Sequence, residues 1–181
     1  MACAAIRRGA DTILIDPLLT GEQWPRLDSS LGGGALHVIL TIHWHTRSAA
    51  EILARHPAAR IWAHSRDAAP IRRRTPVTDV FRAGEELPGG LEAHLARPRT
   101  EVVLWDGESG AIIPGDVLLG AEGGWVRLCP ASWLPPSTGV DQLRESMRPL
   151  LELPVRMVLV SHGEPVLRGG GAALAAALDA G

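Results

Sequence analysis

Two histidines separated by one residue, His43 and His45, are the first side chains of this sequence that point to chemistry. They follow an apolar run at residues 38–40, which belongs to a predicted strand over residues 37–42. Because side chains alternate along an extended segment, we expect both imidazoles on the same side of the chain. Two imidazoles on one side at the end of a strand can bind one cation, usually zinc or iron.

Two further candidate ligands, Asp116 and His162, also come shortly after apolar strands. A strand predicted at residues 111–113 precedes Asp116, and another predicted at residues 155–160 ends just before His162. Side chains that follow neighbouring strands can converge at one edge of a sheet, where ligand clefts usually lie. A glycine beside each of these two residues allows tight turns and close backbone approach. Together with the two histidines, they predict a metal site or the remnant of one.

The elements that must position these residues are mostly strands with a few helices inserted. An N-terminal hairpin with strands at residues 3–7 and 12–16 ends in Asp16, which is suited to orient a neighbouring group or to begin a turn before a proline. A capping box of Ser48 and Glu51 predicts a helix that runs to about residue 56. Further signals predict a hairpin around residues 106–110 and an alanine-rich helix at residues 172–180. This order predicts an α/β layered domain, with sheets covered by helices.

A long segment, residues 120–137, is rich in Gly, Pro and Trp and is predicted to be irregular. A loop of this length in a compact domain is more often functional than filler. We therefore expect it to act as a flap over a pocket. Its tryptophans also make it a candidate interface for a homo-oligomer.

Length and composition limit the class of protein. A chain of 181 residues is expected to form one domain, residues 1–181, with a core of its own. It has no apolar run near about 20 residues and no signal-peptide pattern, so we expect a cytoplasmic protein that does not span a membrane. A net charge of −2 gives no case for binding nucleic acid or an acidic membrane. The two cysteines, Cys3 and Cys129, are expected to be reduced thiols.

All basic residues are arginine, and both lysine and tyrosine are absent. We interpret this bias as the coding composition of a GC-rich, bacterial genome rather than as a functional signal. It removes lysine and tyrosine from the candidate nucleophiles and general acids.

The chain resembles the metallo-β-lactamase fold superfamily. Its pattern of a strand ending in Asp is matched at Asp16, and the first half of its His-x-His-x-Asp-His signature is matched at His43 and His45. A later Gly-Asp is matched at Asp116, and a terminal His-Gly at His162. The matches occur in order across residues 12–165. The resemblance implies a compact version of the family's four-layer αββα sandwich.

Three positions depart from the family pattern. Arg47 stands where the signature has Asp, and Ser48 stands where it has the next His. A further family histidine would fall near Arg97 or Arg99, and no histidine is found there. The resemblance therefore implies a reduced ligand set, His43, His45, Asp116 and His162, with at most one metal ion.

One hypothesis is a metal-dependent hydrolase. A zinc, iron or manganese ion would lower the pKa of a bound water to about 7 and so supply a hydroxide nucleophile. Asp116 would be the catalytic residue, either as a ligand or as a base that orients the water. By resemblance the small-molecule substrate would be an ester, thioester, amide or phosphoester. The survival of four ligand-type residues favours this hypothesis.

The alternative is a metal-free, non-catalytic protein of the same fold. Arg47, with Arg97 or Arg99, would place fixed positive charge where the ligands are missing. An arginine near Asp116 would replace the cation and repel a metal. The pocket would then bind an anionic ligand or serve assembly. A third hypothesis, chance matches in an unrelated α/β domain, predicts that the four ligand-type residues lie scattered.

Overall fold

The computed structural model describes residues 3–136 and 138–180. They divide into an N-terminal unit that ends at Gly89 and a C-terminal unit that begins at Gly90. That the whole chain is one domain stays a prediction. Within the described residues, no helix is both long and apolar enough to cross a membrane.

The described part of the N-terminal unit is built on one sheet in which the strands follow in sequence order. The strands are β1 (Ala4–Arg8), β2 (Asp11–Ile15), β3 (Leu36–Leu40), β4 (Arg60–His64) and β5 (Asp79–Phe81). β1 and β2 pair antiparallel, as the predicted hairpin requires, whereas β2, β3, β4 and β5 pair in parallel. Three helices accompany them: α1 (Gln23–Ser30), α2 (Ala49–Arg55) and α3 (Ala68–Arg72).

Strand β3 is buried along its whole length, which explains its continuous apolar sequence. Its neighbours β2 and β4 are also largely buried, and Ile52 of α2 and Ile71 of α3 pack into the same core cluster. Because β2, β3 and β4 are parallel, their carboxyl ends meet at one edge of the sheet. The segments that leave this edge carry Asp16, His43, His45 and Asp67.

The C-terminal unit contains a mixed sheet and a separate hairpin. The sheet has the order β11-β8-β7-β6, with β6 (Glu92–Leu95), β7 (Val102–Asp106), β8 (Ala111–Ile113) and β11 (Met157–Val158). The hairpin consists of β9 (Leu118–Ala121) and β10 (Trp125–Leu128). Helices α4 (Val140–Met147) and α5 (Gly170–Asp179) complete the unit. The predicted 106–110 hairpin and the C-terminal helix are both confirmed.

Part of the segment predicted to be irregular is regular. Strands β9 and β10 pair antiparallel across a turn at Gly123 and Gly124, both of which have positive φ. Since glycine adopts this conformation without steric cost, the pair makes a tight turn and not an open loop. A short 3-10 turn, Ala131–Trp133, follows, and Ser137 lies outside the described residues.

Candidate functional site

The two histidines of the signature do not lie in a strand. β3 ends at Leu40, a bend follows at Thr41 and Ile42, and residues 43–48 form turns. The His45 amide donates to the Ile42 carbonyl at 3.1 Å, so the chain bends sharply between the two imidazoles. The prediction that the two histidines lie in an extended segment is therefore wrong, because β3 ends at Leu40 and the chain turns before His43.

His45 is held by Asp16. Its ring nitrogen Nδ1 lies 2.8 Å from the Asp16 carboxylate, and the His45 side chain is only 2% exposed. The same carboxylate accepts hydrogen bonds from the Thr41 amide at 2.8 Å and the Thr41 hydroxyl at 2.5 Å. Asp16 itself adopts a left-handed backbone conformation with φ of 50°, which aspartate tolerates better than most residues. Of the two roles predicted for Asp16, the structure shows the orienting one.

His43 has a different carboxylate partner, Asp67. The imidazole Nδ1 lies 3.2 Å from one oxygen of Asp67, and the His43 amide donates to the other oxygen at 3.1 Å. Asp67 lies in the turn between β4 and α3 and is buried. Asp67 was not among the predicted site residues, although it follows β4 at the sheet edge where His43 follows β3.

The same edge carries His64, the last residue of β4, which was not predicted as a site residue either. It is buried, and its Nδ1 accepts a hydrogen bond from the Arg66 amide at 3.3 Å. Burial lowers the pKa of His64, and the positive charge of Arg66 lowers it further. The ring is therefore expected to be neutral near pH 7.

Arg47 and Ser48, at the two altered signature positions, have distinct surroundings. The Ser48 hydroxyl accepts a hydrogen bond from the Leu19 amide at 2.8 Å and does not cap α2. The capping-box prediction is therefore wrong in its bonding, although α2 does begin directly after Ser48. Arg47 is partly buried and donates to the Asp16 carbonyl across 3.5 Å. Its Nε is inaccessible and has no hydrogen-bond partner among the residues described.

In the C-terminal unit, Asp116 and His162 are neighbours. The Asp116 carboxylate oxygen Oδ1 lies 3.6 Å from Nε2 of His162 and 2.6 Å from the hydroxyl of Ser161. The same hydroxyl lies 2.8 Å from the Gly115 carbonyl. Ser161 therefore links the turn after β11 to the turn after β8. Ser161 was not predicted as a site residue, and its position directly before His162 was the sequence signal that could have identified it.

A buried ion pair between Arg99 and Glu101 contacts the backbone of Asp116. Nε of Arg99 is 2.9 Å from a carboxylate oxygen of Glu101, and the two side chains are 3% and 0% exposed. The other oxygen of Glu101 accepts a hydrogen bond from the Asp116 amide at 2.5 Å. The Arg99 guanidinium also donates to the Trp133 carbonyl at 3.1 Å. Of Arg97 and Arg99, the two arginines predicted near the missing histidine, Arg99 is thus the buried one. Glu101 was not predicted as a site residue.

Arg97 and Cys129 differ in their exposure and in their relation to Arg99. The Arg97 side chain is exposed, and its carbonyl accepts a hydrogen bond from the Ser146 hydroxyl at 2.9 Å. Cys129 is a free, buried thiol whose sulfur lies 4.0 Å from the Arg99 guanidinium. Burial raises the pKa of Cys129, although the positive charge of Arg99 opposes this shift. We therefore expect a protonated and unreactive thiol near neutral pH.

The described side chains do not fit a metal centre as they stand. Across residues 3–136 and 138–180, no three His, Cys, Asp or Glu side chains form a group that could hold a metal ion. A shared metal site of His43, His45, Asp116 and His162 stays a prediction, and no chemical step is derived through it.

No family model matches the chain, and no curated protein matches its sequence. Solved structures do match. The DIM-1 metallo-β-lactamase exposed to ceftazidime has a TM-score of 0.72 and 13% identity, over 98% of this chain and 84% of that one. A metallo-β-lactamase from Hirschia baltica has a TM-score of 0.70 and 15% identity, over 97% and 83%.

A third match is the metallo-β-lactamase FIM-1 from Pseudomonas aeruginosa in its mono-zinc form. Its TM-score is 0.69 and its identity 12%, over 97% of this chain and 81% of that one. At such low identity the similarity concerns the fold, and the fold predicted from the sequence is confirmed. The chain has the metallo-β-lactamase fold.

Proposed function

We propose that this protein is a metal-independent member of the fold that binds a small anionic molecule through Arg47. The observation that carries the proposal is the burial of the Arg47 guanidinium with few hydrogen-bond partners. Its Nε is buried without a hydrogen-bond partner among the described residues, and Nη2 makes a long contact of 3.5 Å to a carbonyl. Arginine stays protonated in proteins, so this charge is not relieved by loss of a proton.

A partly buried guanidinium that has no carboxylate partner within residues 3–136 and 138–180 is costly, because the lost hydration is not replaced. A carboxylate or phosphate group that reaches the guanidinium would replace part of this hydration with charge-assisted hydrogen bonds. The same positive charge would disfavour a metal ion bound close to it. The proposed ligand is accordingly a small molecule that carries a carboxylate or a phosphate, and not a nucleic acid.

The test is a titration with inorganic phosphate and, separately, with acetate, monitored by thermal unfolding and calorimetry. Ligands that bind the folded state raise the Tm, and the stabilisation grows with the logarithm of one plus the ratio of the free ligand concentration to Kd. We expect at least one of the two anions to raise the Tm of the native protein but not of Arg47→Met. The matched control is Arg73→Met, which removes an exposed arginine of the same unit and should respond like the native protein. Equal stabilisation of Arg47→Met would overturn the proposal, as would no stabilisation of the native protein by either anion.

A specific observation also favours a second candidate, the metal-dependent hydrolase. Carboxylates orient Nδ1 of His43 and His45, and metal-binding imidazoles are commonly oriented in this way. A zinc ion would supply Lewis-acid chemistry for an ester, thioester, amide or phosphoester, and the FIM-1 structure is of a mono-zinc protein. Elemental analysis of protein purified without chelator decides between the two. A stoichiometric metal that disappears in His43→Ala would establish this candidate instead of the first.

A further inference from the structure

We infer that Trp133 and His162 form an aromatic subsite that receives a flat, apolar group such as an aromatic ring. The Trp133 side chain is 42% exposed, although an indole of this size is normally more buried. Its ring lies against the imidazole of His162, with centroids 6.1 Å apart and an interplanar angle of 64°. His162 is itself partly exposed.

Trp133 stands on a backbone that is fixed on both sides. Its amide donates to the Pro130 carbonyl at 2.9 Å, and its carbonyl accepts a hydrogen bond from the buried Arg99 at 3.1 Å. The next residue, Leu134, is buried in the hydrophobic core. Since Glu101 in turn holds Arg99, the turn that carries the indole is anchored to the interior of the unit.

The turn that carries His162 packs directly against the backbone of strand β9. The Gly120 amide of β9 donates to the His162 carbonyl at 2.8 Å. Gly163 and Gly120 lie so close that a Cβ on either would overlap the other segment's backbone. The side chain of Ser161 bonds to Asp116 on the preceding side. The two rings therefore stand on rigid supports close to Asp116.

This rigidity indicates recognition of a ligand. An exposed aromatic held in place contributes contact area without the entropic cost of ordering a mobile side chain. Aromatic rings associate at centroid distances of about 4.5–7 Å in tilted or offset arrangements. The Trp133–His162 pair already has this spacing, so a third ring can add to it by the same geometry. The inference does not depend on Arg47 and requires no charge on the ligand.

The test uses benzyl alcohol, a neutral aromatic probe that does not report on an anion site. The probe is titrated into the full chain, and the indole N–H signals are followed by heteronuclear NMR. Trp133→Phe assigns the Trp133 signal. We expect the signals of Trp133 and of the His162 ring to shift together with one binding constant. Trp133→Ala should weaken binding by about two- to tenfold.

The matched control is Trp125→Ala, which removes another exposed tryptophan from the same unit and should leave probe binding unchanged. Cyclohexylmethanol, of similar size but not flat, should bind more weakly than benzyl alcohol. Equal weakening by both alanine variants would overturn the inference. It would also fail if the Trp133 signal does not respond up to the solubility limit of the probe. Loss of phosphate binding in Arg47→Met would have no bearing on either result.

Discussion

The carboxylate of Asp16 lies 2.8 Å from Nδ1 of His45, and both side chains are buried. Asp16 follows β2, whereas His45 lies in the turns after the parallel neighbour β3. The same carboxylate binds the amide and hydroxyl of Thr41. One side chain thus sets the path of the chain as it leaves β3 and the orientation of an imidazole within it.

The first prediction concerns the loss of these Asp16 contacts. Asp16→Ala removes the acceptor for three buried donor groups and forces alanine into a left-handed conformation, so we expect a loss of about 3 kcal/mol in the free energy of unfolding. Asp16→Asn keeps an acceptor and tolerates the positive φ, so it should cost less, about 1 kcal/mol. Urea denaturation of the three proteins measures both values. Equal losses for the two variants would show that the negative charge alone is responsible.

A second prediction concerns Arg99 and Glu101. Arg99→Met leaves the fully buried Glu101 carboxylate without its guanidinium, and such uncompensated charges cost about 3–5 kcal/mol. Adding Glu101→Gln removes the charge, so the double variant should be more stable than Arg99→Met alone. A double-mutant cycle from denaturant unfolding gives the coupling energy. The exposed neighbour Arg97, replaced by Met, is the control and should change stability by less than about 0.5 kcal/mol. Strict additivity of the two single changes would contradict the pairing.

The third prediction concerns the backbone crossing that holds His162. Gly120→Ala places a methyl group against backbone atoms of Glu164, and these cannot move aside as the end of a flexible side chain can. We expect a loss of about 3 kcal/mol or more, the upper range for overpacking. Gly21→Ala, where an added Cβ meets nothing within 4 Å, should be nearly neutral. Thermal unfolding compares the two, and a stable Gly120→Ala would mean that the crossing is looser than described.

The sequence predicted the elements whose signals are local. The N-terminal hairpin, the turn between β7 and β8 and the C-terminal helix each follow from turn residues or periodicity within a short window. The order of Asp16, His43, Asp116 and His162 along the chain was sufficient to identify the fold. It could be identified because these residues each follow a strand, and their order does not depend on exact strand ends.

The partners of these residues could not be predicted in the same way. Asp67 is 24 positions from His43, and Glu101 is 15 positions from Asp116. No local pattern specifies such pairs, because they depend on which strands are adjacent in the sheet. The exact end of β3 was also beyond the sequence. Thr41 and Ile42 suit a strand, but the hydrogen bonds from Thr41 to Asp16 turn the chain away instead.

The fourth prediction concerns the pH dependence of stability at His94 in β6. Its Nε2 is buried and has no hydrogen-bond partner among the described residues. Burial lowers the pKa of His94, and the negative charge of Glu92 only partly opposes this shift. The unfolded chain therefore takes up a proton near pH 6.5, while the folded chain does so only at lower pH. The contribution of His94 to stability is complete above about pH 6.5 and is lost as the pH falls.

The measurement is the difference in free energy of unfolding between the native protein and His94→Leu, taken from pH 8 to pH 5. Above about pH 7 the difference should be constant. Below about pH 6.5 the native protein should lose stability faster, by up to about 1.4 kcal/mol per pH unit. His37 and His64, whose pKa values burial also lowers, remain in both proteins and cancel in the difference. A difference that stays flat down to pH 5 would show that His94 accepts a proton equally well in both states, and hence that its ring is not held away from water.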